Sequence, residues 1–296
     1  MRTRRNNLFS MKWPTIRSLY LRESFLPSLG LTTDFPPKLN LETINWCNRK
    51  CPFCPTGLGE LDGKKTKLEF DIIEKIANEL ESHSFRGVIS FQARNEPLLD
   101  HRIVDIVTCL RSICPKSFLS MSTNADKASE DIIRDLFAAG LNAFSMQLYD
   151  KSNRKRLNKF KTDALDSVPE LYDEKSVSVQ GRKERFIWIT DKTPWKKDEG
   201  KFSNRGGSLD LTYEKKKLRE NRLHCHFPSH QLLILADGSV PLCCNDWHAE
   251  VKMGNVKNES IYDIWNCETF DKYRSHLKKM DFSLPICNNC DYGLYE

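Results

Sequence analysis

The chain has 296 residues and a net charge of +6, with 39% hydrophobic and 29% charged side chains. That balance excludes a membrane-embedded protein and a disordered tail, and the length provides for one large domain, or one with a small companion. No apolar run reaches the ~20 residues of a membrane span, and no apolar segment follows the basic start (Arg2, Arg4, Arg5), so neither a span nor a signal peptide is expected. Eleven cysteines, an odd number, argue against a complete disulfide framework and for metal or redox use in a reducing cytoplasm. The charge is uneven: residues 1–22 carry six basic and no acidic side chains, and residues 151–222 carry 20 basic against 12 acidic. Such an excess reads either as a solvated surface or as an attractor for an acidic substrate. The total is too small to name nucleic acid as a partner.

Residues 1–37 read as an N-terminal extension, with a short helix within 13–31 and a stop at Pro36-Pro37. Alternation over 38–45 predicts a strand, and a cysteine-rich loop follows over 46–57. The spacing of Ile72, Ile73, Ile76, Ala77 and Leu80 predicts a helix over 70–80. Next come a strand at 87–91, a helix at 103–113, a strand at 118–122, a helix at 132–139 closed by Gly140, and a strand at 141–148. Strands separated by helices of this length indicate parallel βα units. Beyond residue 150 the chain turns polar, with strand-like pieces at 177–180 and 186–190. Residues 223–296 hold six of the eleven cysteines and read as a small metal-dependent module. In it, strands at 232–235 and 240–244 are expected to form a hairpin about Asp237-Gly238.

Cys47, Cys51 and Cys54 follow the first strand as Cys-x3-Cys-x2-Cys. Three thiolates on one loop hold three irons of a [4Fe–4S] cube and leave the fourth iron open. A small molecule with an amine and a carboxylate can chelate that iron. Zinc is the competing reading, but it normally takes four ligands, and the next histidines in sequence are only His83 and His101.

This arrangement, with Phe53 directly before the last cysteine, resembles the radical SAM enzymes. The resemblance continues in Gln92-Ala93-Arg94-Asn95-Glu96-Pro97 after the second strand, where the family has a Gly-Gly-Glu or Asn-Glu-Pro motif that binds the methionyl amine of S-adenosylmethionine. Ala93 and Arg94 stand where glycines are usual. Ser122-Thr123-Asn124-Ala125 ends the third strand, where the family has Thr-Asn-Gly or Thr-Asn-Ala near the cofactor. The resemblance implies an α/β fold, a partial (β/α)6 barrel over residues 38–222, with the site at the C-terminal ends of the strands. It assigns the catalytic cluster to Cys47, Cys51 and Cys54, and S-adenosylmethionine to Phe53, Asn95, Glu96, Ser122 and Asn124. It also implies the chemistry: reductive cleavage of S-adenosylmethionine to a 5′-deoxyadenosyl radical, which abstracts a substrate hydrogen atom. A reductant such as flavodoxin or ferredoxin is the implied partner.

Cys225-x12-Gly238-x4-Cys243, followed by Cys287-x2-Cys290, resembles the SPASM and twitch modules appended to such enzymes, as do Gly254-Asn255-Val256 and the helical run at 261–266. The resemblance implies a β-hairpin and helix module over residues 223–296, with one auxiliary [4Fe–4S] cluster on Cys225, Cys243, Cys287 and Cys290. Six residues after Cys290, too few to ligate a second, are expected to end the module. A four-cysteine zinc site is the alternative. Cys244 should face away from Cys243, since successive strand residues alternate; it reads as a buried inert cysteine or as a thiol hydrogen donor. Cys109 and Cys114 read as core. Asn204-Arg205-Gly206-Gly207 resembles a segment preceding the module in related enzymes. Arg205 there is either a carboxylate or phosphate clamp or a structural linker residue.

The expected activity is dehydrogenation or epimerisation of a small polar molecule, such as a sugar or cyclitol. A peptide- or protein-modifying maturase is one alternative, although the 37-residue extension is too short for a leader-binding domain. A zinc or iron–sulfur scaffold without catalysis is the other. The substrate-binding residues are expected within 151–222 and on the inner barrel face.

Overall fold

A computed structural model describes residues 32–59, 63–149, 177–179, 183–191, 204–209 and 225–292. The helix expected within 13–31 and most of the basic stretch 151–222 lie outside the described residues.

The repeating unit is a strand followed by an amphipathic helix. Strand β1 (Lys38–Leu41) leads through the cysteine loop to helix α1 (Phe70–Ser82). Strand β2 (Val88–Phe91) precedes α2 (Ile103–Ile113), and β3 (Phe118–Thr123) precedes α3 (Glu130–Ala138). Each helix buries one stripe: Ile73, Ile76, Ala77 and Leu80 in α1, and Ile103, Ile106, Val107 and Leu110 in α2. That i, i+3, i+4, i+7 spacing is what turns each helix against the sheet. Helix α3 begins two residues before its apolar pattern, because the Ser129 hydroxyl caps it by accepting from the Ile132 N–H and two acidic residues follow in the first turn.

Strands β4 (Ala143–Leu148), β5 (Val177–Val179), β6 (Lys183–Asp191) and β7 (Gln231–Ile234) complete the main sheet in the order β5-β6-β4-β3-β2-β1-β7. All neighbours are parallel except β5 and β6, which are antiparallel. The outer face carries Leu39 and Leu41, Ile89 and Phe91, and Leu119 and Met121, all in the main core with the helices. The alternate residues face inward: Asn40, Ser90, Ser122, Ser145 and Gln231. Parallel strands buried by helices on both faces are normally apolar throughout; here one face is polar because it lines a cavity.

Short helix α4 (Phe227–His230) leads into β7, and here the structure departs from the expected hairpin. The turn itself forms, with the Gly238 N–H donating to the Leu235 carbonyl at 2.8 Å. Yet β7 lies beside β1, pairing Leu39 with Leu232 and Leu41 with Ile234. The returning strand β8 (Ser239–Pro241) pairs instead with β9 (Lys252–Asn255), with a bulge between Val240 and Pro241. The free edge of β1 and the apolar Leu232 and Ile234, both fully buried, draw β7 into the main sheet. Helices α5 (Ile261–Trp265) and α6 (Glu268–Lys278) close the C-terminal region. The C-terminal region docks on α1, where Lys75 donates to the Val256 and Glu259 carbonyls and Glu79 accepts from the Tyr262 N–H at 3.0 Å, while the Trp265 indole N–H donates to Thr33 O of the N-terminal extension at 2.7 Å. Cys114 is fully buried against Ala77 O, as a core residue should be.

Candidate active site

The C-terminal ends of β1 to β4 open on a cavity of about 520 Å³. Cys47, Cys51 and Cys54 form one wall, on the loop after β1. The loop is held by its own turn, Cys54 N–H to Cys51 O at 3.1 Å, and by a network from β3. Arg49 makes a two-pronged pair with Asp126, Nε to Oδ2 at 2.7 Å and Nη2 to Oδ1 at 2.5 Å. Asn48 donates to the same Asp126 at 2.7 Å. The Asn124 amide donates to Asn48 Oδ1 at 2.9 Å and to Cys47 Sγ at 3.6 Å. Burial pushes the Cys47 thiol up, and it pushes the Cys51 thiol to about 11 with help from the neighbouring Cys54 sulfur.

Glu96, on the loop after β2, is 2% exposed. Its Oε1 accepts from the Thr123 hydroxyl at 2.5 Å and the Leu98 N–H at 3.1 Å, and its Oε2 accepts from the Asn124 N–H at 2.8 Å. A carboxylate has about four acceptor positions, so one on Oε2 remains. Burial raises the Glu96 pKa despite those three donors. The turn after Asn124 needs a small residue: Ala125 sits at φ +63° and donates its N–H to Thr123 Oγ1. Asn95 accepts from the Ala93 N–H, while its buried Nδ2 has no partner among the described residues.

Arg94, where a glycine was expected, has a clear role. Its guanidinium forks onto Glu42 at 3.0 and 2.9 Å and reaches the Trp247 carbonyl at 2.9 Å. Glu42 is fully buried and also accepts from the Ala236 N–H. One ion pair thus ties the exits of β1 and β2 to the turn after β7 and to the C-terminal loop.

The opposite wall comes from that C-terminal region. Arg205, Cys244 and Trp247 line the cavity together with Gln231. Cys244 and Cys243 face opposite ways: Cys244 reaches the cavity, where Gln231 Nε2 donates to its sulfur at 3.4 Å, and Cys243 is buried in the core. Burial raises the Cys244 pKa, opposed by Arg205 and the Gln231 bond. Arg205 stands over the Trp247 ring at 5.6 Å, on a turn with three successive positive φ angles: Arg205 +52°, Gly206 +66° and Gly207 +100°. Gly206 must lack a side chain, because a Cβ would lie 2.8 Å from Asn245 O.

Cys225, Cys243, Cys287 and Cys290 gather behind this wall. Burial pushes up the Tyr292 hydroxyl, with smaller contributions from Cys225, Cys244 and Cys290, and it pushes the Tyr273 hydroxyl to about 12, with smaller contributions from Cys287, Asp246 and Cys243. Among the described residues, no three His, Cys, Asp or Glu side chains converge closely enough to hold a single metal ion. Thiolates on one zinc lie within about 4 Å of each other. A [4Fe–4S] cube takes thiolate ligands, the donor type that Cys47, Cys51 and Cys54 supply from one loop on the cavity wall.

Two family comparisons agree with this geometry. Residues 41–166 match the Radical SAM superfamily, and residues 225–291 match SPASM, an iron–sulfur cluster-binding domain. The chain carries a Radical SAM superfamily region followed by a SPASM region. It is an enzyme of that class, using S-adenosylmethionine and a [4Fe–4S] cluster, with an auxiliary iron–sulfur cluster in the SPASM region. It is 26% identical over 256 residues to the S-adenosyl-L-methionine-dependent 2-deoxy-scyllo-inosamine dehydrogenase of Niallia circulans, covering 86% of this chain and 92% of that one. It is 22% identical over 314 residues to the tungsten-containing aldehyde ferredoxin oxidoreductase cofactor-modifying protein of Pyrococcus furiosus, covering 85% and 86%. Among solved structures, the fold matches BtrN in complex with AdoMet and 2-DOIA, with a TM-score of 0.66 and 23% identity over 86% of this chain and 93% of that one. It also matches anSMEcpe with bound AdoMet, with a TM-score of 0.53 and 12% identity over 88% and 89%. Among the described residues, no helix is long and apolar enough to cross a membrane.

The cavity brings in every residue expected at the radical cluster and the S-adenosylmethionine site, together with Arg205 and Cys244. It also brings in residues that sequence reading missed: Asn40, Arg49, Gln147, Tyr149 and Trp247. Tyr149 packs on Phe53 at 5.4 Å, and burial pushes its hydroxyl to about 12. A signal for Gln147 and Tyr149 was present, since both stand at the C-terminal end of a barrel strand.

Proposed function

We propose that this radical SAM enzyme dehydrogenates a small hydroxylated ring, a cyclitol or amino-cyclitol. One observation carries the reading: a single cavity of about 520 Å³ is walled by the Cys47, Cys51 and Cys54 loop on one side and by Arg205 and Cys244 on the other. A substrate within it stands between the two clusters. Asn40, Ser122, Gln147 and Gln231, which line the cavity, suit a ligand rich in hydroxyl groups. The substrate named for the Niallia circulans relative is of this kind.

In this reading Cys47, Cys51 and Cys54 hold the radical cluster, and Cys225, Cys243, Cys287 and Cys290 hold the auxiliary one. Bound cluster and S-adenosylmethionine supply the radical that removes one substrate hydrogen atom. Glu96 takes the methionyl amine on its remaining acceptor position, while Thr123 and Leu98 keep the carboxylate from turning. Asn95 offers its unpartnered Nδ2 beside it. Phe53, Ser122 and Asn124 line the same side. Arg205 orients an oxygen of the substrate. The barrel runs over 38–222 after an extension of 37 residues, and the module from 223 lends β7 to the barrel sheet. The enzyme works in the cytoplasm with a flavodoxin- or ferredoxin-like reductant.

Epimerisation is the second reading, because Cys244 places a thiol in the cavity. Its S–H returns a hydrogen atom to the substrate radical, and the thiyl left behind takes one electron and one proton from the reductant and solvent. The test is anaerobic incubation of the reconstituted enzyme with S-adenosylmethionine, reductant and 2-deoxy-scyllo-inosamine. Dehydrogenation gives a ketone two mass units lighter, with one 5′-deoxyadenosine per turnover. Epimerisation in deuterated water gives a product one mass unit heavier, and Cys244→Ala stops it. Cleavage of S-adenosylmethionine with neither product, across a panel of cyclitols, refutes the proposed substrate class.

A further inference from the structure

Asn245 touches both sides of the wall between the cavity and the auxiliary cysteines. It is 3% exposed. Its backbone N–H donates to Cys243 Sγ at 3.4 Å, and its side-chain Nδ2 donates to Cys290 Sγ at 3.6 Å. Its Oδ1 accepts from Arg205 Nη1 at 3.4 Å. The residue is therefore committed in three directions: its backbone N–H to the Cys243 sulfur, and its side-chain amide to the Cys290 sulfur and to one cavity-lining guanidinium. The turn carrying Arg205 is built to reach it. Gly206 lies against the Asn245 carbonyl, and Asn204 is locked to the Cys290 loop by bonds to Asp291 in both directions, at 2.9 and 3.1 Å.

We propose that Asn245 sets the reduction potential of the auxiliary cluster and transmits to it the position of Arg205 in the cavity. The inference rests on the ligand assignment to Cys225, Cys243, Cys287 and Cys290. A hydrogen bond to a cluster sulfur favours the more negative, reduced state and so raises the potential. Pulling Oδ1 towards a guanidinium polarises the amide and strengthens its N–H donor. Asn245 is thus a positioning residue for electron acceptance, acting through the sulfurs and not on substrate.

The experiment is a redox titration followed by electron paramagnetic resonance. It uses the full chain carrying Cys47→Ala, Cys51→Ala and Cys54→Ala, so that only the auxiliary cluster gives a signal. Asn245→Leu, of similar volume, is expected to lower the midpoint. A tenfold change in the ratio of oxidised to reduced cluster at the parent midpoint corresponds to about 59 mV for one electron. Asn245→Asp, which turns an anion towards the Cys290 sulfur, is expected to lower it further. Arg205→Met shifts the midpoint the same way and adds little on top of Asn245→Leu. An unchanged or raised midpoint in both Asn245 variants overturns the proposal, and fully additive Arg205 and Asn245 shifts overturn the transmission through Asn245. Iron lost from both Asn245 variants but kept in the parent also counts against it, since Asn245 then only supports cluster assembly. A parent without iron refutes the ligand assignment itself, a separate failure.

Discussion

Replacing Arg94 with methionine should destabilise the chain by about 4 kcal/mol. The guanidinium supplies two bonds to Glu42 and one to the Trp247 carbonyl, all between 2.9 and 3.0 Å. Arg94→Met keeps most of the apolar stem and removes all three. Among the described residues, Glu42, at 0% side-chain exposure, then retains the Arg94 and Ala236 backbone N–H groups, each at 3.2 Å. Stranding one charge of a buried pair costs about 3–5 kcal/mol, and an orphaned carbonyl adds about 1 kcal/mol. Glu42→Gln combined with Arg94→Met should recover about half of the loss, because a neutral amide is far easier to bury unpaired. The assay is denaturant unfolding of the reduced, metal-free chain, followed by tryptophan fluorescence. A loss below about 1 kcal/mol, or a double variant no better than the single one, refutes the view that this pair clamps barrel and module together.

Thr123→Val removes a donor to Glu96 and the acceptor for the Ala125 N–H. Affinity for S-adenosylmethionine should fall about tenfold in equilibrium dialysis of the reconstituted enzyme, the equivalent of about 1.4 kcal/mol; an unchanged affinity refutes the buttress. Glu96 should also mark the pH dependence of the metal-free chain. Burial raises its pKa above the ordinary 4.5 in the folded state, so the folded chain holds that proton more tightly than the unfolded one. The stability linked to it is present below pH 4.5 and is lost as pH rises through the folded value. Thermal midpoints of the wild type should therefore fall relative to Glu96→Gln as pH rises from 4.5 towards neutrality, and a constant gap contradicts this. Anaerobic reconstitution should give about eight irons per chain and about four after Cys47→Ala, Cys51→Ala and Cys54→Ala, the content of two clusters and of one. A wild-type content of about four irons removes one of the two clusters.

What the sequence revealed and what it withheld follow from how far apart the cooperating residues lie. Cys47, Cys51 and Cys54 are readable because one cluster needs three thiolates on one loop. Glu96, Thr123 and Asn124 are readable because each lies at the end of a strand or in the loop just after it, and the βα order puts strand ends together. The Arg94–Glu42 pair spans 52 positions and Arg205–Asn245 spans 40, and neither leaves a local pattern. Arg94 looked like a defect in a glycine motif because its partner could not be seen.

The same reasoning explains β7. Residues 232–235 followed by Asp237-Gly238 read locally as half of a hairpin, and the turn does form. The partner is nonetheless β1, 191 positions from Gln231 through Asn40, whose amide bonds Gln231 at 3.0 Å. That choice has a consequence for the chemistry. By placing β7 beside β1, the chain brings Gln231 onto the inner face of the barrel, and Gln231 in turn holds the Cys244 sulfur at the cavity wall. With β7 paired locally to β8, the inner face would end at Asn40, and Cys244 would lose this contact with the barrel. The strand exchange that sequence reading missed is therefore what joins the auxiliary region to the radical site.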